Sequence, residues 1–131
     1  MKDLDSVQRL ALSEAAWRAR DHARVYGPTR VGSAALANNG QIYIGCNIEH
    51  RFRSHDIHAE VNAISSLVAN GGTELRAILI AAEREQFTPC GSCLDWIFEI
   101  GSGDCLVISE RIPEVTAHLY LARDLMPWYP A

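Results

Sequence analysis

The chain has 131 residues, 48% of them hydrophobic, with 12 Lys and Arg against 16 Asp and Glu, for a formal net charge of −4. That length predicts one domain over residues 1–131, able to bury a core without staples, and the acidic balance argues against long nucleic acid as a partner. No apolar run reaches the length that spans a bilayer, so no membrane partner is expected.

Residues 1–5 are polar and carry no apolar leader, which predicts a cytoplasmic protein. The four cysteines, Cys46, Cys90, Cys93 and Cys105, then read as reduced thiols rather than a disulfide framework.

Apolar residues recur at helical spacing over residues 4–26 (Leu4, Val7, Leu10, Ala11, Ala15, Trp17, Ala19), predicting an amphipathic helix. Gly27-Pro28 stops it. Residues 31–37 and 41–47 flank Asn38-Asn39-Gly40, a hairpin turn signal. Ile42 and Ile44 should share one face of the second strand and Tyr43 the other. Residues 49–56 form a charged loop without periodicity. A helix is predicted over 57–70, with Val61, Ile64, Leu67 and Val68 as its apolar stripe, ended by Gly71-Gly72. Strand 76–82, polar loop 83–88, helix 91–100, strand 105–109 and strand 115–121 follow. Residues 124–129 make an apolar tail. This order predicts a three-layer α/β/α domain around a five-stranded mixed sheet.

Two short motifs carry the chemistry. His58-Ala59-Glu60 is followed by Pro89-Cys90-Gly91-Ser92-Cys93. Side chains three apart at a helix start share a face, so both sulfurs can reach one point. One imidazole and two thiolates leave a tetrahedral zinc with an open position, the catalytic arrangement. The set is formally neutral around a divalent ion. Positive helix ends favour thiolate there. Glu60 diverges from His58 at i, i+2 and is free to act as the general acid and base. The pattern is that of zinc deaminases acting on amino-substituted rings. Three other readings stand beside it: a redox dithiol at Cys90 and Cys93, a closed structural zinc completed by Cys46, Cys105 or another His, and a non-catalytic zinc module.

With these motifs, and with Val31-Gly32-Ser33-Ala34, Gly45-Cys46-Asn47-Ile48-Glu49 and Asp124-Leu125-Met126-Pro127, the chain resembles the cytidine deaminase family over nearly its whole length. The small nucleoside deaminases, blasticidin-S deaminase among them, are the kind it is similar to. The resemblance implies one zinc per subunit on His58, Cys90 and Cys93, with Glu60 as proton shuttle. It implies a cytidine-like nucleoside as substrate, with Asn47 and Glu49 on the sugar 3′-hydroxyl and Ala59 also among the substrate-binding residues. It also implies a homotetramer and a place in pyrimidine salvage. Departures gather around the substrate. Thr29 stands where the family has a Phe that packs on the pyrimidine. Arg51 replaces a small residue near the sugar 5′ end, and Leu94-Asp95 replaces Arg-Gln. Arg51 and Arg53 either face a substrate phosphate or carboxylate or are solvated or interface charges. Asp95 pairs with a substrate cation or with Arg51. Trp128 and Tyr129 either supply the missing aromatic surface or pack the tail. The departures leave open another aminated heterocycle, or a cytosine-containing antibiotic, as substrate.

Overall fold

The computed structural model describes residues 4–84 and 87–129. Its elements are α1 (Ser6–Arg20), β1 (Val31–Ala37), β2 (Ile42–Cys46), α2 (Ala59–Ala69), β3 (Leu75–Ala82), α3 (Gly91–Gly101), β4 (Leu106–Ile112), β5 (Val115–Leu121) and α4 (Ala122–Leu125). The five strands form one sheet in the order β2-β1-β3-β4-β5. Only β3 and β4 run parallel; the other neighbouring pairs are antiparallel. The predicted α/β class and five-stranded mixed sheet are therefore present.

Alternation along β1 and β3 splits the core in two. Ala35, Ile78, Ile80 and Val107 face Ala63, Leu67 and Ile97 of α2 and α3. Ala34, Leu36, Leu79 and Ile108 face Leu12 and Ala16 of α1. Helices thus cover both faces of the sheet. Two glycines permit close packing. A Cβ on Gly32 would lie 1.9 Å from the Ala16 carbonyl of α1, and one on Gly45 would lie 2.4 Å from the Ala63 nitrogen of α2.

Several expectations shift. The first helix ends at Arg20, not near residue 26. Beyond it, the Arg24 N–H donates to Asn47 O at 3.0 Å and Glu49 N–H donates to Arg24 O at 2.6 Å, so this stretch pairs with the end of β2 instead of coiling. The predicted apolar stripe also rotates. Val7 and Leu10 are exposed, while Leu12, Ser13 and Ala16 are buried. Ser13 is tolerated inside because its hydroxyl donates to the buried Glu110 carboxylate at 2.6 Å. On α2, Val68 is half exposed, and Ala59 and Ala63 take the inner face against Gly45. The fourth strand runs three residues further than predicted, to Ile112, because it pairs with β5 along its length. The start of the apolar tail is the single helical turn α4. The predicted loop 83–88 includes Glu85 and Gln86, which lie outside the described residues, as do residues 1–3 and the last two.

Candidate metal centre and cavity

His58 is the N-cap of α2, and Cys90 is the N-cap of α3. Cys93 and Glu60 lie in the first turns of the same two helices. Helix starts expose unpaired N–H groups and the positive end of the dipole. The two motifs, 30 residues apart in sequence, therefore meet where two positive ends converge.

The His58 Nδ1 atom lies 3.3 Å from Cys93 Sγ and 3.4 Å from Cys90 Sγ, and the two sulfurs are 3.5 Å apart. Tetrahedral coordination by one nitrogen at about 2.0–2.1 Å and two sulfurs at about 2.3 Å requires ligand separations of roughly 3.5–3.8 Å. The triangle in this protein is within a few tenths of an ångström of that. The donor set also suits zinc, with two soft thiolates and one imidazole. His58 and Cys90 are exposed and Cys93 is buried. Burial, then the nearby Glu60 charge, pushes the Cys93 thiol far above its ordinary value. A bound cation reverses that preference, since a coordinating thiol is deprotonated.

Cys46 and Cys105 do not complete a closed site. Among the described residues, the group able to hold a metal is His58, Cys90 and Cys93. Cys105 is buried in the core beside Ile97 and Val107. A zinc held by those three residues would keep a fourth position open to a small molecule.

Glu60 is 3% exposed. Burial raises its carboxyl pKa, against the opposing pull of its own backbone N–H, the His58 charge and a hydrogen bond with Cys93. A buried carboxyl beside these three atoms is placed to accept a proton and return it.

These groups border a cavity of about 400 Å³, within the usual range for small-molecule sites. Asn47, Glu49, His58, Ala59, Glu60 and Cys90 all line it. Asn47 is fixed by its main-chain neighbours: Val31 N–H donates to Oδ1 at 2.9 Å, and Nδ2 donates to Thr29 O at 2.9 Å. Glu49 Oε1 accepts from Tyr26 N–H at 2.6 Å and Gly27 N–H at 2.9 Å. Its other oxygen lies 3.1 Å from the Arg53 guanidinium. The Gly27 and Tyr26 N–H groups, with Arg53 adding less, hold the Glu49 carboxyl below its usual range. Asp56 is held low as well, first by the His50 N–H and then by Arg53.

The other expected residues fall elsewhere. Arg51 is exposed and is not among the lining residues; its guanidinium lies 5.5 Å over the Phe52 ring. Arg53, two residues on, lines the cavity instead. Trp128 is 94% exposed and lies off the cavity. Tyr129 stacks on Phe98 with ring centroids 4.2 Å apart and donates its hydroxyl to Asp95. That contact occupies Asp95 with the tail, rather than with Arg51. Asp56, Arg84 and Phe87 line the cavity and were not singled out from sequence. For Phe87 there was a signal: it stands two residues before Pro89-Cys90, and any residue there is carried to the metal ligands.

Comparison with known proteins agrees with this geometry. Residues 6–109 match the family model described as the cytidine and deoxycytidylate deaminase zinc-binding region. A cytidine deaminase of Sporosarcina psychrophila is 39% identical over 88 residues, which is 66% of this chain and 65% of that protein. One from Shewanella woodyi is 34% identical over 89 residues, 66% of this chain but 28% of that protein. The matches thus span less than two thirds of these relatives' own length. Among solved structures, the cytidine deaminase of Mycobacterium tuberculosis superposes with a TM-score of 0.82 at 27% identity, over 98% of this chain and 99% of that one. That of Burkholderia pseudomallei gives 0.82 at 31% identity, over 90% and 95%. The three-ligand cluster, the buried carboxyl beside it and these likenesses all agree: the chain belongs to the cytidine and deoxycytidylate deaminase family.

Proposed function

We propose that this protein is a zinc-dependent hydrolytic deaminase of a cytidine-like nucleoside. It replaces the exocyclic amino group with oxygen and releases ammonia. The observation that carries this reading is the convergence of His58 Nδ1, Cys90 Sγ and Cys93 Sγ beside buried Glu60, with His58, Glu60 and Cys90 in the wall of one cavity. Zinc held by those three atoms would supply a Lewis acid and would lower the pKa of a water from about 15.7 to about 7. Glu60 handles the protons. It would accept one proton from the attacking water and give it to the ring nitrogen, then take the second from the hydroxyl newly bonded to the ring carbon and give it to the departing amine. Water enters and ammonia leaves, so the shuttle ends as it began.

The sugar is assigned to Asn47 and Glu49. Asn47 keeps one amide N–H beyond its bond to Thr29 O, and a carboxylate accepts from a hydroxyl. The main-chain bonds to both side chains set them in place before substrate arrives, which lowers the cost of binding. Ala59 is buried against the core and lines the cavity; its single methyl leaves room for the base beside Glu60.

Arg51 and Trp128 retain a substrate role only through a neighbouring copy, because neither lines this chain's own cavity. A homotetramer, implied by the resemblance, provides such neighbours. Residues 1–131 act as one domain in this reading. The enzyme works in the cytoplasm on nucleosides entering pyrimidine salvage. Among the described residues no helix is long and apolar enough to cross a membrane.

The test is ammonia release by the zinc-loaded protein over cytidine, deoxycytidine, their 5′-monophosphates, cytosine, modified cytidines, blasticidin S and aminopurines. Turnover of cytidine or deoxycytidine supports the reading. Turnover confined to another compound moves the substrate to that compound and keeps the chemistry. Silence across the panel with zinc bound sinks it.

A further inference from the structure

Among the described residues lining the cavity there is one Phe, no Tyr and no Trp; the one is Phe87. The other walls are aliphatic, small or charged: Val31 and Ile57, Thr29 and Ala59, and the carboxylates with Arg53. A planar heteroaromatic base entering this space finds one apolar aromatic ring to lie against, the only other ring among these described lining residues being the His58 imidazole of the three-atom cluster. Phe87 stands three residues before Cys90, so its ring is tied to the metal ligands by a short segment. Pro89, in that segment, is buried and restricts its own φ as well as the backbone before it. The Phe87 ring is half-buried and packs against the core shared by α2, α3 and the sheet. The packing fixes one part of the ring, and the remainder borders the cavity.

The Arg84 guanidinium lies 6.0 Å from the Phe87 ring centre, at the outer limit of a cation–π contact. Arg84 is exposed. A solvated cation at that distance yields easily to a stacked base, or remains at the ring edge.

We infer that Phe87 is the specificity-determining residue that stacks on the substrate base. It sets the plane in which the amino-bearing carbon meets the metal ligands and Glu60. This rests on the nucleoside reading above and adds to it the residue that recognises the ring. The ring's contribution is to affinity and orientation. It takes no part in proton transfer.

The experiment compares Phe87→Leu and Phe87→Tyr with the parent protein, all zinc-loaded. Leu keeps an apolar side chain for the core but removes the π-face; Tyr keeps the face. The readouts are the Kd for uridine by calorimetry, KM and kcat for cytidine, zinc content and melting temperature. Phe87→Leu should weaken uridine binding and raise KM by about ten- to a hundredfold, with kcat changed much less and zinc content unchanged. Phe87→Tyr should remain within a few-fold of the parent. Unchanged uridine affinity in Phe87→Leu overturns the inference. So does an equal loss in Phe87→Tyr, or a loss that follows zinc content, since either makes Phe87 a support for the metal loop alone. If the parent protein turns over no nucleoside, the functional reading itself fails, which is a separate result from any of these.

Discussion

Glu60 has a carboxyl, buried, at the first turn of the helix whose cap is His58. Replacing it with Ala should leave zinc content intact, because the three ligating atoms come from other residues. Turnover should fall by about 10²-fold or more, the usual contribution of a positioned acid–base group. Zinc analysis and steady-state ammonia release check both halves. Wild-type turnover in that variant removes the shuttle role. Glu49 and Asp56 make a different prediction. Both carboxyls are held low by main-chain donors and Arg53. A carboxylate whose folded pKa lies below its unfolded value stabilises the fold above that unfolded value, about 4.3 for Glu and 3.9 for Asp. The contribution disappears as the pH falls through the lowered value. Carboxyl titration by NMR should therefore give midpoints below those references for both residues, with residues 48–57 loosening only beneath them. Midpoints at or above the references contradict the hydrogen bonding described. At this scale the cluster of His58, Cys90 and Cys93 was legible from sequence because coordination demands particular elements at particular spacings. The cavity walls were less so. Arg51 and Arg53 differ by two positions in a loop without periodicity, and no local pattern tells which one faces inward.

The elements explain how the site is held. Strand β2 passes directly beneath the start of α2, close enough that a Cβ on Gly45 would collide with Ala59 O at 2.5 Å and Ala63 N at 2.4 Å. Those are main-chain atoms, so nothing flexible can give way. Gly45→Ala should push α2 off the sheet and cost about 1–3 kcal/mol, the range for overpacking. Because α2 begins with His58 and Glu60, activity should fall further than stability alone accounts for. Chemical denaturation and kcat/KM measured together test this; an unperturbed variant would show that α2 does not rest on Gly45. Most elements could be read from hydrophobic period and turn residues, and β1, β5 and the hairpin turn came out with the expected bounds. The face of α1 could not. Its buried side includes Ser13, made acceptable only by Glu110, which is 97 residues away in sequence. Polar satisfaction across such a distance leaves no local trace.

For the whole molecule, His58, Cys90 and Cys93 bring together the starts of α2 and α3, which lie on the same side of the sheet. Zinc at a hundred times its Kd adds about 2.7 kcal/mol to stability if only the folded state binds it. For a chain of this size that corresponds to a rise in melting temperature of roughly 10 °C. A chelator should reverse it, and Cys93→Ala should lose the response to zinc. Calorimetry with and without zinc measures the shift. A melting temperature indifferent to zinc in the parent protein would show that the three residues do not form a working metal site.

The segment between β2 and α2 has a consequence for how such an enzyme changes its preferences. Ile48 and Ile57 close it with a reciprocal pair of main-chain hydrogen bonds at 2.9 Å. Glu49 stands just inside one foot of this clasp, and His58 just outside the other. Between the feet, Arg51, Phe52, Ser54 and His55 are exposed and outside the cavity lining, so they can vary while both feet stay stapled. Diversity is thus confined to the outer rim, while Arg53 reaches inward to Glu49 and Asp56 and ties the loop to the cavity. New substrates can be sampled at residues 51, 52, 54 and 55, by nature or by loop grafting, without rebuilding the catalyst.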